Sequence, residues 1–253
     1  MRHGLHFTYN GISSVDMGVI KATLNSGLSE DVLISGKQIL EEKIEGRDKP
    51  YFYGVEYDTL SFSVIVFFED NMTEEHMRSV LRWLNQDSYK PFFSNDEPHR
   101  VMYVMPVNDI VSSKATLQQG YLEIEFRADD VNTFSPIEKT QEYNFTSNTG
   151  GQNITVNNKG DFNCYPIVHI EKIGNGNVTI RNNTNNIGDF SFTGLQDKEK
   201  LEIDCEGKII DTTYNRPRYD NFNNNFLELK PGNNTLRVTG NLKLQLEMEY
   251  RTY

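Results

Sequence analysis

The sequence predicts a mainly β protein of two domains: an N-terminal β-rich domain with one α-helix, residues 1–131, and a C-terminal β-sandwich, residues 132–253. Three observations predict this. Most apolar runs alternate with period two, and a single stretch has the helical period. Asparagine is asymmetric, with six in residues 1–126 and 21 in residues 127–253. The seam falls in RADDVNTFSPIEKTQEY, where Pro136 and its polar neighbours suit a linker.

The chain opens with a turn. Asn10-Gly11 in FTYNGISSVDMGV is a strong hairpin pair between apolar flanks. The same stretch could cradle phosphate or offer Ser13 or Ser14 as a nucleophile. It has neither phosphate-motif spacing nor the G-x-S-x-G pattern, and no helix follows it. The turn reading is preferred. In TLSFSVIVFFED, Leu60, Phe62, Val64, Val66 and Phe68 share one strand face. Ile65 and Phe67 on the other face call for a second cover, which the helix would supply. That helix lies in NMTEEHMRSVLRWLNQ. Thr73 is its N-cap, Glu74 and Glu75 favour the positive end, and Met77, Val80, Leu81 and Leu84 form the apolar face, with Trp83 beside it. RVMYVMPV and GYLEIEFRA read as further strands.

The second half shows no helical period. PIVHIEKI, NVTIRN, GDFSFTGL, KLEIDCEGKII, NFLELK, TLRVTG and NLKLQLEMEY all read as strands. In the last, Leu242, Leu244, Leu246, Met248 and Tyr250 share a face. LKPGNNTLRV reads as a tight hairpin around Pro231, Gly232 and Asn233. Short strands punctuated by turn signals indicate a β-sandwich.

Composition narrows the function. Fifteen Phe, 13 Tyr and one Trp can fill a core. The net charge is −11. Residues 1–131 carry 12 Lys/Arg and 21 Asp/Glu, a net of −9, while residues 132–253 carry 13 and 15, a net of −2. Such a surface disfavours gripping nucleic acid through its phosphates. Cys164 and Cys205 read as buried free thiols of a protein made in a reducing cytoplasm. No secretory leader and no membrane-spanning run is expected. The N-x-T triplets, such as Asn153-Ile154-Thr155, follow from composition.

Catalytic motifs are wanting. His3, His6, His76, His99 and His169 have no metal-ligand spacing. Glu202 with Asp204, and Glu247 with Glu249, share strand faces and could serve a carbohydrate-active hydrolase. They read first as the solvated side of a sheet. No cofactor or metal is expected, and the chain reads as a non-enzyme. Tyr214, Arg216, Arg218 and Tyr219, with Phe222, could form a small sugar or partner platform in DTTYNRPRYDNF. That keeps a carbohydrate-binding adhesin as the alternative function.

The order of FTYNGISSVDMGV, LSFSVIVFF, RWLN with YKPFFSND, YPIVHI, LEIDCEGKII and FLELKPGNNTLRV resembles the distal tail proteins of long-tailed, non-contractile phages, in the Bacillus siphophage version. The resemblance covers nearly all 253 residues. It implies a C-terminal sandwich like galectins or carbohydrate-binding modules. It implies a homohexameric ring at the virion tail tip, an assembly hub that joins the tail tube protein to tail-tip and tail-associated proteins, with the tape measure protein a further candidate partner. DNA would pass through without specific binding. No catalytic residues carry over, and the receptor-docking arm of some relatives is missing here. Ring assembly needs exposed edges or apolar patches. ISGKQILEEKIEGRDKPYFYG is the candidate, with Gln38, Ile39, Leu40 and Ile44 at the inter-subunit interface.

Overall fold

The structure is a computed structural model describing residues 6–22, 36–69, 73–114, 120–185 and 187–253. His3 lies outside the described residues. The chain divides between Phe134 and Ser135 into two compact units.

The first unit contains β1 (Phe7–Tyr9), β2 (Ile12–Ser13), β3 (Val19–Ala22), β4 (Lys37–Glu42), β5 (Tyr51–Tyr57), β6 (Ser61–Phe68), α1 (Glu74–Leu84), β7 (Lys90–Ser94), β8 (Met102–Lys114), β9 (Gly120–Ala128) and β10 (Thr133–Phe134). Seven strands form an antiparallel sheet in the order β2-β1-β7-β8-β9-β6-β3. Asn10 and Gly11 turn β1 into β2 with φ of +50° and +74°, the geometry of a two-residue hairpin. The rest of NGISSVDMG joins the two edges of the sheet. Seven flat strands would place β2 and β3 about 29 Å apart at ~4.8 Å per spacing. The chain from Ser13 to Val19 reaches at most about 22 Å. The sheet must therefore curl until its edges approach. Ser14 N donates to Phe7 O at 2.8 Å and Val19 N to Ser14 O at 3.0 Å. Ser14 is buried, and its hydroxyl accepts from Phe7 N at 3.2 Å. It acts as a structural pin.

Helix α1 completes this core. Thr73 Oγ1 accepts from His76 N at 3.1 Å, as an N-cap does. Val80, Trp83 and Leu84 join the cluster that holds Val64, Val66 and Phe126. Trp83 belongs to the buried face and donates its indole N–H to Tyr9 O at 2.9 Å. The helix thus covers the face of β6 already expected to be apolar. On the second face, where the helix was expected, Phe67 instead stacks on its cross-strand neighbour Tyr121, ring centroids 5.6 Å apart, and both stay half-buried. His76 Nε2 donates to Met17 O at 2.7 Å, which ties α1 to the edge-joining segment.

The second unit contains β11 (Glu138–Lys139), β12 (Tyr143–Phe145), β13 (Gln152–Asn158), β14 (Ile167–Lys172), β15 (Gly176–Asn182), β16 (Asp189–Leu195), β17 (Lys200–Asp204), β18 (Ile209–Thr212), β19 (Gly232–Thr239) and β20 (Leu242–Met248). One sheet runs β11-β20-β14-β17-β18, with β12 also on β20, and the other runs β13-β19-β15-β16. Val168, Ile203 and Leu244 of the first share a core with Ile180, Phe190 and Val238 of the second, which makes a sandwich. Leu242, Leu244, Leu246, Met248 and Tyr250 are all buried, as alternation predicts.

NFLELK is not a strand. Only Leu229 forms an isolated bridge, to Cys164. LKPGNNTLRV is accordingly a turn without a hairpin, since β19 pairs with β13 and β15. The backbone here is satisfied by asparagine side chains. Asn158 donates to Leu229 O at 3.0 Å, Asn182 to Glu228 O at 2.8 Å and Asn234 to Lys230 O at 2.7 Å. All three asparagines are buried. A buried carbonyl without a partner would be costly, and the amide supplies one.

A buried ion pair fixes the loop after β18. Arg218 Nε and Nη2 donate to Glu199 Oε1 and Oε2 at 2.7 and 2.6 Å. Thr212 Oγ1 and Gln196 N complete the carboxylate's partners, at 2.7 and 2.9 Å. Burial alone would raise the Glu199 pKa, but the bonds from Arg218, Gln196 and Thr212 outweigh it and hold it below its ordinary 4.5. A depressed carboxylate stabilises the fold above pH 4.5, and that stabilisation is lost as pH falls through the folded-state value. Arg218→Met leaves the carboxylate buried and unpaired. It is expected to cost about 3 kcal/mol in urea unfolding at pH 7, with the gap from wild type narrowing below pH 4.5.

Candidate functional site

The site is a two-stranded ribbon, β4 and β5, that pair with each other and with no other strand among the described residues. The Lys37–Tyr57, Ile39–Val55 and Glu42–Tyr51 pairs set its register. The register shifts where Leu40 faces Gly54 and Glu41 faces Phe52, which leaves Tyr53 as an extra residue. Such a bulge twists the ribbon locally. At its base Asp58 N donates to Gly36 O at 2.8 Å and Gln38 Nε2 donates to Asp58 Oδ1 at 3.0 Å. Near its tip the Arg47 guanidinium lies 3.8 Å from the Tyr51 ring centre. Tyr53 donates its hydroxyl to Glu42 at 2.8 Å.

Almost nothing on this ribbon is buried. Ile39 is 62% exposed, Phe52 65% and Tyr53 66%. Leu40, Ile44, Tyr51, Val55 and Tyr57 are exposed as well. Apolar side chains occupy both faces, because Tyr51, Phe52 and Tyr53 are consecutive and strand neighbours alternate. No single face of its own unit could cover both. Exposed apolar side chains concentrated on one ribbon make it the candidate interaction surface. Gln38, Ile39, Leu40 and Ile44 all sit on this ribbon or its turn. The aromatic half adds Tyr51, Phe52 and Tyr53, which lie in the candidate stretch but were not named as interface residues, and Tyr57 beyond it. Its signal was the YFY run, which no half-buried strand accommodates.

The loop residues separate. Tyr214, Arg216 and Tyr219 are exposed. Arg218 is turned inward onto Glu199 and is 5% exposed, which removes its charge from any platform. Its guanidinium also lies 4.0 Å from the Tyr214 ring centre. Tyr219 is tied to β18, with its hydroxyl accepting from Ile210 N at 3.0 Å.

Glu202 and Glu247 lie on the outer face of the six-stranded sheet, on either side of His169. His169 Nδ1 is 3.5 Å from Glu202 and Nε2 is 3.4 Å from Glu247. Lys139, 2.6 Å away, is the main cause that holds the Glu247 carboxyl below its usual range. Cys164 and Cys205 are buried thiols whose pKa burial pushes up to about 12. Among the described residues no group of three or more His, Cys, Asp or Glu is placed to hold a metal ion, and no helix is long and apolar enough to cross a membrane.

Each of the two β-rich units has a counterpart among known proteins. Residues 2–130 match the family model for a phage tail protein N-terminal domain and residues 136–250 the model for a phage tail C-terminal domain. The chain belongs to this phage tail protein family. It is 25% identical over 254 residues to the SPbeta prophage-derived uncharacterized protein YomH of Bacillus subtilis strain 168, covering 99% of both chains. In fold it is similar to the SPP1 Dit protein (gp 19.1), whose structure is described as a paradigm of the hub adsorption apparatus in phages infecting Gram-positive hosts. The TM-score is 0.67 at 14% identity, over 97% of this chain and 98% of that one. A chain of the phage p2 baseplate in its activated, Sr-containing form gives a TM-score of 0.57 at 8% identity, over 96% and 97% of the two chains. The resemblance to a Bacillus siphophage distal tail protein, drawn from the sequence, holds.

Because the ribbon side chains leave the core intact, Ile39→Ser, Phe52→Ser and Tyr53→Ser should each change the unfolding free energy of the dispersed chain by no more than about 0.5 kcal/mol. Val64→Ser, in the core, should cost several times more in the same denaturant titration.

Proposed function

We propose that the chain is a structural hub of a siphophage tail tip, and that the ribbon carries its self-assembly. An isolated two-stranded hairpin is marginal in water. Its two apolar faces become favourable once a neighbouring copy covers them. A contact in which each copy gives a ribbon to the next and receives one from the last is heterologous, and such contacts make a ring when the rotation between copies closes. Likeness to the SPP1 Dit fold supports the hub reading, and the sequence resemblance supports six copies. In this reading the ring joins the tail tube protein to the tail-tip proteins, with the tape measure protein a further contact. It resides in the virion and performs no bond-making chemistry.

The excess charge of the first domain suits a channel for DNA. Duplex moving through a ring must not exchange its counterions for lysines and arginines, since each such contact would hold it. Carboxylates lining the channel would let it slide. A density map of assembled tails should place acidic residues of the first domain on the channel wall; a wall of lysine and arginine contradicts this part of the reading.

The observation that carries the proposal is the exposure of Ile39, Phe52 and Tyr53. Light scattering on concentrated full-length protein should give a mass of about 175 kDa, six times 29.2 kDa. The triple change Ile39→Ser, Phe52→Ser, Tyr53→Ser should reduce it to the monomer mass. An unchanged oligomer would refute the ribbon's role.

A further inference from the structure

One face of the ribbon lacks polar partners, and the sheet of the first unit carries a matching order of groups on its outer face. We propose that this face of β4 and β5 docks on the outer face of β8 and β9 of a second copy. The docking rests on the self-assembly role proposed above and names the surface that receives the ribbon.

Three rungs make the docking face: Lys37 with Tyr57, Ile39 with Val55, and Glu41 with Phe52. Alternation along β4 and pairing across to β5 put these side chains on one side. Lys37 and Glu41 have no side-chain partner among the described residues. The opposite face differs. Arg47 lies over Tyr51 and Tyr53 donates to Glu42, so its rings already meet polar groups.

The receiving face has three rungs as well: Glu123 with Val111, Glu125 with Val107, and Arg127 with Met105. They point away from the core, because the intervening Leu122, Ile124 and Phe126 are buried. Val111 is 51% exposed, and Glu123 and Arg127 are exposed too. Glu123 has no side-chain partner among the described residues. Arg127 gives a donor of its Nη2 to Thr59 Oγ1 at 3.3 Å and keeps the rest of its five. Glu125 accepts from Asn108 Nδ2 at 2.7 Å, so the charges left for a partner are at the two ends.

Spacing and sign agree. Lys37 to Glu41 and Glu123 to Arg127 are each two rungs, about 14 Å of strand at ~3.4 Å per residue. Laid rung on rung, Lys37 meets Glu123 and Glu41 meets Arg127, with Ile39, Val55 and Phe52 against Val107, Val111 and Met105. The reverse order would set Lys37 on Arg127 and Glu41 on Glu123. Complementary charge at both ends therefore fixes the register of the contact. Within one copy the two faces do not cover each other, since Ile39 and Val111 are both exposed.

The test uses full-length protein. Tyr57→Cys mixed with Val111→Cys should give a dimer with a short bismaleimide, and either variant alone at least tenfold less; Cys164 and Cys205 are buried and stay out of the reaction. Lys37→Glu and Glu123→Lys should each raise the concentration of half-assembly at least tenfold by light scattering, with unchanged unfolding midpoints. Both changes in one chain should return it to within threefold of wild type. Efficient cross-linking of Tyr57→Cys alone, or a double reversal no better than the single ones, overturns this docking even where Ile39→Ser, Phe52→Ser, Tyr53→Ser still dissociates the oligomer. A wild-type chain that stays monomeric overturns the docking and the self-assembly role together.

Discussion

A short connection governs the first unit. Residues 14–18 must link strands at opposite edges of a seven-stranded sheet, and their reach is less than the sheet's flat width. The sheet has to curl, and the curl creates an interior. Phe7, Tyr9, Phe92 and Phe126 fill it; Phe7 stacks on Trp83 at 5.5 Å and Tyr9 meets Phe126 at 5.3 Å. Helix α1 seals the remaining apolar face. Once the core is closed, the apolar side chains of β4 and β5 have no place inside it. What began as a constraint on chain length ends as an exposed ribbon.

The second unit solves a different problem. Its sandwich core is complete without help, and the difficulty lies in an irregular segment, residues 223–231, with few backbone partners. Buried asparagines bond those carbonyls directly, and the Glu199–Arg218 pair anchors the neighbouring loop.

Much of this was legible in the sequence, because alternation and helical period report burial directly. The face of β6, the N-cap of α1 and the alternation of β20 are read from residue type alone. Trp83 was harder, since its position beside the helix stripe hid an indole N–H that reaches Tyr9 O. The 223–231 segment misled because NFLELK alternates like a strand, whereas its register partners were taken by asparagine side chains that no periodicity reveals. The ribbon was half legible: Ile39, Leu40 and Ile44 stood out among charges, while the YFY run lay in the same stretch with its aromatic exposure unremarked. Arg218 showed the limit most clearly. An arginine among tyrosines suggests a ligand platform, and only the fold brings Glu199, 19 residues away in sequence, against it.

The central claim is that the ribbon is covered by another copy of the chain in the assembled state. Hydrogen–deuterium exchange of the backbone amides in residues 37–57 tests it most directly, comparing assembled with dispersed protein. Assembly should slow exchange there by at least tenfold while leaving the buried strands β6 and β9 unchanged. Equal exchange rates in the two states would contradict the account.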